Sequence, residues 1–322
     1  MAKVNKESVY HHPTSKKMMK KRRYKEGEII GEGSFGKVKY EDGYANKHMK
    51  NIDTDNGVDS YILREISALR QLQHENIIQL SDILYDEMNH PQTIKFECCD
   101  FDLKSFLRTY HLNGVSSKKL RKNIFLDVSK GLNYIHSHKF LHRDLKPQNI
   151  LLNIESKDAV KVKIGDLGLV KKILVQNFTP TIVTLWYRCP EILLNTSSNK
   201  SFDAPSIDIW SLGLIFMEVM TNQPTLKGDS EIGQLMQIFK LFGTPSEEKF
   251  PKFFSCEHYT PLFPKMKPKF EPYLSDIKHS TQIERELIKS MLKYDHRQRT
   301  SCSSIIQTLT TDEESPPVVD IN

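Results

Sequence analysis

No apolar run in the sequence approaches the roughly 20 residues that a membrane-spanning helix needs. The longest, WSLGLIFMEVM at 210–220, is interrupted by Glu218, so no contact with a membrane interior is expected. The amino terminus has no apolar stretch of the kind a secretory signal carries, and export is not expected either. Cysteine is scarce: the five, at 98, 99, 189, 256 and 302, show neither metal-ligand spacing nor a pairing frame. That argues against a zinc module or a disulfide scaffold and for ordinary buried or half-buried thiols in a reducing compartment. Internal repeats are absent. So is a basic body. The net charge is +6, but Lys16, Lys17, Lys20, Lys21, Arg22 and Arg23 supply six positive charges within eight residues that hold no acid. The remainder is neutral overall, and no direct nucleic-acid surface is expected from it.

What is present fits a soluble globular chain. Its 322 residues leave room for about two domains, on a prior of roughly 150 residues each. Apolar residues make up 38% and charged residues 27%, proportions that support a packed core. Residues 1–23 have no periodicity and read as a disordered basic tail. The run KKMMKKRR fits a nuclear import signal, an anion-binding arm or a solvated tail, and leaves nucleus and cytoplasm both open. From Tyr24 the pattern is strand-like. Val58, Ile62, Ile66, Leu69 and Leu72 then recur at helical spacing, followed by strand-like runs at about 77–86 and 92–98. After Cys99 helices dominate. Leu120, Ile124, Val128, Leu132 and Ile135 form one amphipathic stripe; 205–221 is apolar nearly all round; further helices are expected at about 231–242 and 283–293. The end, TDEESPPVVDIN, reads as a frayed tail. The expectation is an α+β chain: a small antiparallel-sheet half with one helix at 24–99, a larger, mainly helical half at 100–309, and a disordered tail at 310–322.

The stretch GEGSFGKVKYEDGYANKHMK at 31–50 has a glycine turn followed by a lysine, with only ten residues separating Gly36 from Lys47. Asp42-Gly43 is a strong signal for a two-residue hairpin. Centred there, Glu41 faces Tyr44, Tyr40 faces Ala45 and Val38 faces Lys47. Opposed residues share a face, so Val38, Tyr40, Ala45 and Lys47 all project to one side, and a slip of one residue would turn Lys47 away. The hairpin is short, yet its parity delivers Lys47 to the glycine turn. Glycine turns also open dinucleotide-binding folds, but there a helix follows the turn; here a strand does.

LHRDLKPQNILL at 141–152, KIGDLGL at 163–169 and TLWYRCPE at 184–191 follow in order. With these the sequence resembles the eukaryotic protein kinases over about residues 24–309. HRDxKxxN, a DxG seventeen residues beyond its Asn149, and a downstream xPE are independent parts, and together they are specific. The resemblance implies a bilobal kinase that transfers the γ-phosphoryl of Mg-ATP to protein substrates. Asp144 would accept or orient the hydroxyl proton and Lys146 would steady the phosphoryl group. Asn149 and Asp166 would hold magnesium, and Lys47, paired with Glu65, would hold the α- and β-phosphates. The nucleotide would lie among Ile30, Gly31, Glu32, Gly33, Ser34, Phe35, Gly36, Lys37, Val38, Ala45, Glu97 and Cys99. Glu191 and Arg299 resemble the buried pair that ties the xPE segment to the late helices, and Asp208 resembles the aspartate that braces the catalytic loop.

GVDSYILRE at 57–65, GDSEIGQLMQIFKLFGTP at 228–245 and TLWYRCPEILL are similar to the cyclin-dependent kinases. That resemblance implies a Ser/Thr kinase acting on sites followed by Pro, with Arg188 shaping the proline pocket, and a cyclin-like subunit pressing the Glu65 helix inward. Arg64, Arg143 and Lys171 would surround a phosphate on Thr179, and Ser34 would be an inhibitory site in the glycine loop. A MAP-kinase assignment would want Thr-x-Tyr, and position 181 is Thr. The sequence departs from the family pattern at several points. Leu167 replaces the Phe of DFG, Cys189 replaces Ala, and Asp59, Tyr61, Ile62 and Leu63 differ from the PSTAIRE-type run. The short hairpin, Leu167 and Asn46 leave a catalytically weak scaffold as the alternative, alongside a non-cyclin member of the wider group.

Overall fold

A computed structural model describes residues 19–33, 36–49, 60–172, 184–194, 205–247, 256 and 258–311. The small lobe is a five-stranded antiparallel sheet of β1 (Ile29–Gly33), β2 (Gly36–Glu41), β3 (Tyr44–Met49), β4 (Leu80–Tyr85) and β5 (Pro91–Glu97), in the order β1-β2-β3-β5-β4. The β2–β3 turn has Asp42 at φ 54° and Gly43 at φ 84°. Positive φ at both central residues is what a primed hairpin turn requires. The register follows from it: Glu41 opposes Tyr44, Tyr40 opposes Ala45 and Val38 opposes Lys47. On the other side of β3, Lys47 opposes Ile94 and Ala45 opposes Phe96. Gly36 is needed where these strands close. A Cβ there would lie 2.3 Å from the His48 carbonyl oxygen.

Helix α1 (Ser60–Gln71) buries Tyr61, Ile62, Ile66, Ala68 and Leu69 and leaves Leu63 on its outer face. It rests on the turn at Leu167–Leu169. The chain then passes through β6 (Phe101–Asp102) into a helical lobe of α2 (Leu103–Tyr110), α3 (Lys118–Ser137), α4 (Pro190–Leu194), α5 (Pro205–Thr221), α6 (Glu231–Phe242), α7 (Phe270–Asp276), α8 (Gln282–Met291) and α9 (Cys302–Thr311). Between α3 and α4 run β7 (Phe140–Leu141), β8 (Ile150–Ser156), β9 (Ala159–Ile164) and β10 (Lys171–Lys172), pairing as β6-β8-β9 and β10-β7.

The stripe predicted for α3 is the buried one, and α5 is buried on all sides, with the Phe216 ring stacked on Phe125 at 3.7 Å. The lobes are joined by backbone as well as packing. Ile78 N–H donates to Ile164 O, Ile164 N–H to Asn76 O, and the Asn76 amide to Val162 O. That clamp fixes β9, and therefore the aspartate that follows it.

Residues 19–23, grouped above with the tail, make defined contacts. Lys20 N–H donates to Tyr110 Oη at 3.3 Å and Arg22 N–H to Asp100 Oδ1 at 3.1 Å. The Arg22 guanidinium pairs with Glu28 at 2.8 Å and lies 4.6 Å over the Tyr24 ring. A charge count sees the cations of this run, but not the acids and rings that tertiary structure brings to them.

Two buried ion pairs fasten the helical lobe. Arg299 grips Glu191 at 2.5 and 2.8 Å and also donates to the carbonyls of Lys293 and Ser206. Arg121 grips Glu284 at 2.6 and 3.0 Å, and Glu284 closes the capping box of α8 with Thr281. Because both ends of each pair are buried, removing one partner strands the other charge in apolar surroundings. Arg299→Ala is expected to destabilise the protein by about 3–5 kcal/mol in urea unfolding. Arg299→Lys is expected to lose much of the same stability, since an ammonium cannot reproduce the two-point fork.

Candidate active site

Several chain segments meet between the lobes around a cavity of about 560 Å³, within the range of small-molecule sites. Its roof is Ile30, Gly31, Glu32, Gly36, Val38 and Ala45; its back holds Lys47, Glu65 and Phe96; its floor holds Leu151, Asp144, Lys146, Asn149 and Asp166. The hairpin carries Lys47 inward. Its Nζ lies 2.8 and 2.7 Å from the two carboxylate oxygens of Glu65, 3.8 Å from Asp166 Oδ1 and 3.5 Å from Tyr61 Oη. Burial works against the ammonium, but the Glu65 and Asp166 carboxylates outweigh it and hold its pKa above the ordinary lysine value. One cation thus serves two acids. Asp166 opens toward the cleft; burial would raise its carboxyl, yet the Lys47 charge and the Tyr61 hydrogen bond hold it below the usual range. Glu65 is more enclosed, and burial holds it above that range.

The catalytic loop is braced from beneath. Asp208, on α5, accepts the backbone N–H groups of His142 at 2.9 Å and Arg143 at 2.8 Å, and the His136 ring N–H at 2.9 Å. Arg143 sits at φ 68° and Asp166 at φ 55°. Such backbone persists where surrounding bonds over-determine it. His142 links the two strained points: its Nε2–H donates to Gly165 O at 2.9 Å and its Nδ1 accepts Asp144 N–H at 3.2 Å. Both ring nitrogens of His142 are thus engaged by the backbone, a structural role.

Asp144 Oδ2 takes Lys146 Nζ at 2.6 Å and the Asn149 amide at 3.2 Å. Its other oxygen, Oδ1, is buried and accepts no hydrogen bond from any described residue. A buried carboxylate oxygen without a donor is costly unless a ligand group supplies one. It suits an incoming hydroxyl.

The protein kinase domain family matches residues 24–309. The chain belongs to the protein kinase family. A kinase of this family uses ATP and a divalent metal, and the donors here fit both. Asn149 commits its Nδ2 to Asp144, at 2.8 Å from the main-chain and 3.2 Å from the side-chain oxygen, which leaves Oδ1 for a cation beside the Asp166 carboxylate. Two hard oxygen ligands from the protein are what a metal needs when phosphates and water supply the rest. No group of three or more His, Cys, Asp or Glu side chains among the described residues is arranged to hold a metal by itself.

Most of the residues predicted for the kinase nucleotide site are brought together here, Glu97 and Cys99 included. Lys37 is a correction. It lies between Gly36 and Val38 with its side chain on the outer face, 3.5 Å from Glu32. The strand alternation that turns Lys47 inward turns Lys37 outward. Ser34 and Phe35 lie outside the described residues. Other lining groups went unpredicted: Phe96, Ile78, Phe101, Leu151, Tyr61, and Arg22 and Tyr24 from the chain before β1. Tyr24 Oη donates toward the carbonyls of Cys99 at 3.0 Å and Asp100 at 2.8 Å. Phe96 could have been found from the register, since it shares its face with Ala45; Arg22 and Tyr24 carry no local signal.

The brace gives a pH prediction. Burial opposes the Asp208 charge, but the His136 hydrogen bond and the loop N–H groups hold its carboxyl below the ordinary aspartate value of 3.8. A depressed carboxyl contributes stability above its unfolded pKa and loses it as pH falls through the folded one. Asp208→Asn is therefore expected to lower the melting temperature most near neutral pH. The gap from the parent protein should narrow as pH falls below about 4, by calorimetry across a pH series.

Proposed function

We propose that this kinase is a serine/threonine kinase of the cyclin-dependent type, acting on Ser or Thr followed by Pro. The observation that carries the catalytic part is Asp144, with one oxygen engaged by Lys146 and the other buried without a donor, in the same cleft as the Lys47–Glu65 pair. Asp144 takes or orients the proton of the substrate hydroxyl. Lys146 holds Asp144 in place and offers positive charge where the transferring group passes. Lys47 binds phosphate oxygens while Glu65 keeps its ammonium forward. Bound Mg-ATP supplies the γ-phosphoryl group and the charge that offsets its negative oxygens.

Substrate choice is supported at residues 185–188. The Arg188 guanidinium donates to Glu231 at 2.7 Å, the Trp186 indole to Gly228 O at 2.9 Å, and the Gln234 amide to Trp186 O at 3.0 Å. These bonds seat 185–188 on α6, where a residue following the phosphoacceptor would lie. The cyclin-like partner is supported by the resemblance of α1 and by Leu63, 53% exposed on its outer face. The Lys47–Glu65 pair that such a partner would secure has its nitrogen 2.8 and 2.7 Å from the two carboxylate oxygens.

A phosphate on Thr179, which lies outside the described residues, is supported by the crowding of cations beside the catalytic loop. Lys171 is lowered first by burial and then by the charges of Arg143 and Arg64. Arg143 is lowered by burial, against the opposing charge of Asp208, with Arg64 adding to the lowering. A dianion among the three would relieve that repulsion and order the loop. Active material purified from its native cell is expected to carry phosphate on Thr179 by mass spectrometry; unmodified Thr179 in active protein would contradict the assignment.

The catalytic reading is tested with labelled ATP and a Ser-Pro peptide. Asp144→Asn is expected to transfer label about 10²–10⁴-fold more slowly than the parent. Equal labelling by both would favour the scaffold.

A further inference from the structure

Two departures from the family pattern, Tyr61 in α1 and Leu167 in the DxG turn, lie 106 residues apart in the chain and meet in the structure. Tyr61 is buried and lines the cleft. Its ring fills the space beside Gly168: a Cβ added to that glycine would fall 1.8 Å from the Tyr61 ring carbon that bears the hydroxyl. Leu167, shorter than the usual Phe, is fully buried in the same turn. The Tyr61 hydroxyl donates to Asp166 Oδ1 at 2.5 Å and faces Lys47 Nζ at 3.5 Å.

We propose that Tyr61 is a positioning residue for the metal-ligating Asp166, tying that carboxylate to helix α1. Tyr61 precedes Glu65 by one helical turn, so the two side chains share a face of α1. Glu65 fixes the phosphate-binding lysine from that face, and Tyr61 fixes the carboxylate opposite. A single displacement of α1 would release both at once. In a turn that lacks its aromatic residue, Tyr61 supplies an aromatic surface from the helix side. Because the hydroxyl engages Oδ1, which Lys47 Nζ also approaches at 3.8 Å, it leaves Oδ2 as the oxygen for a cation. This goes beyond the reading above and rests on it at one point, the assignment of Asp166 as a cation ligand.

The test uses the full chain, Mn²⁺ as the cation and a non-hydrolysable ATP analogue, with Mn²⁺ affinity read by electron paramagnetic resonance. Asp166→Asn serves as reference. Tyr61→Phe keeps the ring on Gly168 and removes only the hydroxyl, so its melting temperature is expected to stay within about 4 °C of the parent. Its Mn²⁺ affinity is expected to fall about tenfold, the worth of one hydrogen bond to a charged acceptor. Gly168→Ala keeps the hydroxyl but pushes the ring from its seat, and is expected to weaken Mn²⁺ similarly. The double variant is expected to be no worse than the poorer single one, as for two changes that break one contact. Tyr61→Phe binding Mn²⁺ as tightly as the parent while Asp166→Asn does not would overturn the role of Tyr61 alone. Asp166→Asn binding like the parent would overturn the ligand assignment and the proposal with it. Fully additive losses in the double variant would likewise contradict a shared contact.

Discussion

A single ammonium, that of Lys47, shared between two carboxylates, is the constraint on which the rest of the active site depends. Its attraction to Glu65 holds α1 against the sheet, and its approach to Asp166 ties the small lobe to the turn after β9. Glu65 is buried and depends on this partner, while Asp166 faces the cleft and is held below the usual carboxylate range by the same charge. The geometry that satisfies both is set by a hairpin of two six-residue strands, where a slip of one position would turn Lys47 out of the cleft. The local demand of an Asp-Gly turn for positive φ therefore decides the electrostatics of a site assembled from segments more than a hundred residues apart.

Below that cation the helical lobe acts as a rigid platform. Asp208 holds two successive N–H groups of the catalytic loop, and His142 passes the restraint on to Gly165. With the strained residues Arg143 and Asp166 pinned from below, Asp144 can present one oxygen without a donor at little risk of turning away. Deeper still, the Glu191–Arg299 and Arg121–Glu284 pairs lock the segment at 190–194 and the start of α8 to the body. Their desolvation is repaid by bidentate geometry and by carbonyls that take the remaining guanidinium protons.

Where local chemistry decides structure, the sequence was readable. The β2–β3 register followed from Asp42-Gly43, and α3 and α5 followed from their apolar patterns. The set Lys47, Glu65, Asp144, Asn149 and Asp166 followed from ordered motifs, and all of them line one cavity. Short elements were less readable. Helix α9 reads CSSIIQTLTT, rich in hydroxyl and β-branched residues of poor helix propensity, and it forms because Cys302, Ile305 and Leu309 are buried against the body. Helix α2 is eight residues long and depends on Asp102 capping the Ser105 N–H. Lys37 was drawn into the nucleotide site by its place in a motif, although strand alternation points it out. Tyr61, Arg22 and Tyr24 gave no local sign of their roles, since their partners are distant in the chain and met only through folding.

The central claim, that one metal-bound triphosphate is held jointly by Lys47, Asn149 and Asp166 within reach of Asp144, is tested most directly by a crystal structure with Mg²⁺ and a non-hydrolysable ATP analogue. The account predicts Lys47 Nζ within hydrogen-bond distance of the α- or β-phosphate, and Asn149 and Asp166 oxygens on the cation. It also predicts the terminal phosphate facing Asp144. A nucleotide bound with its phosphates beyond the reach of Lys47, or a cation held without Asp166, would contradict it.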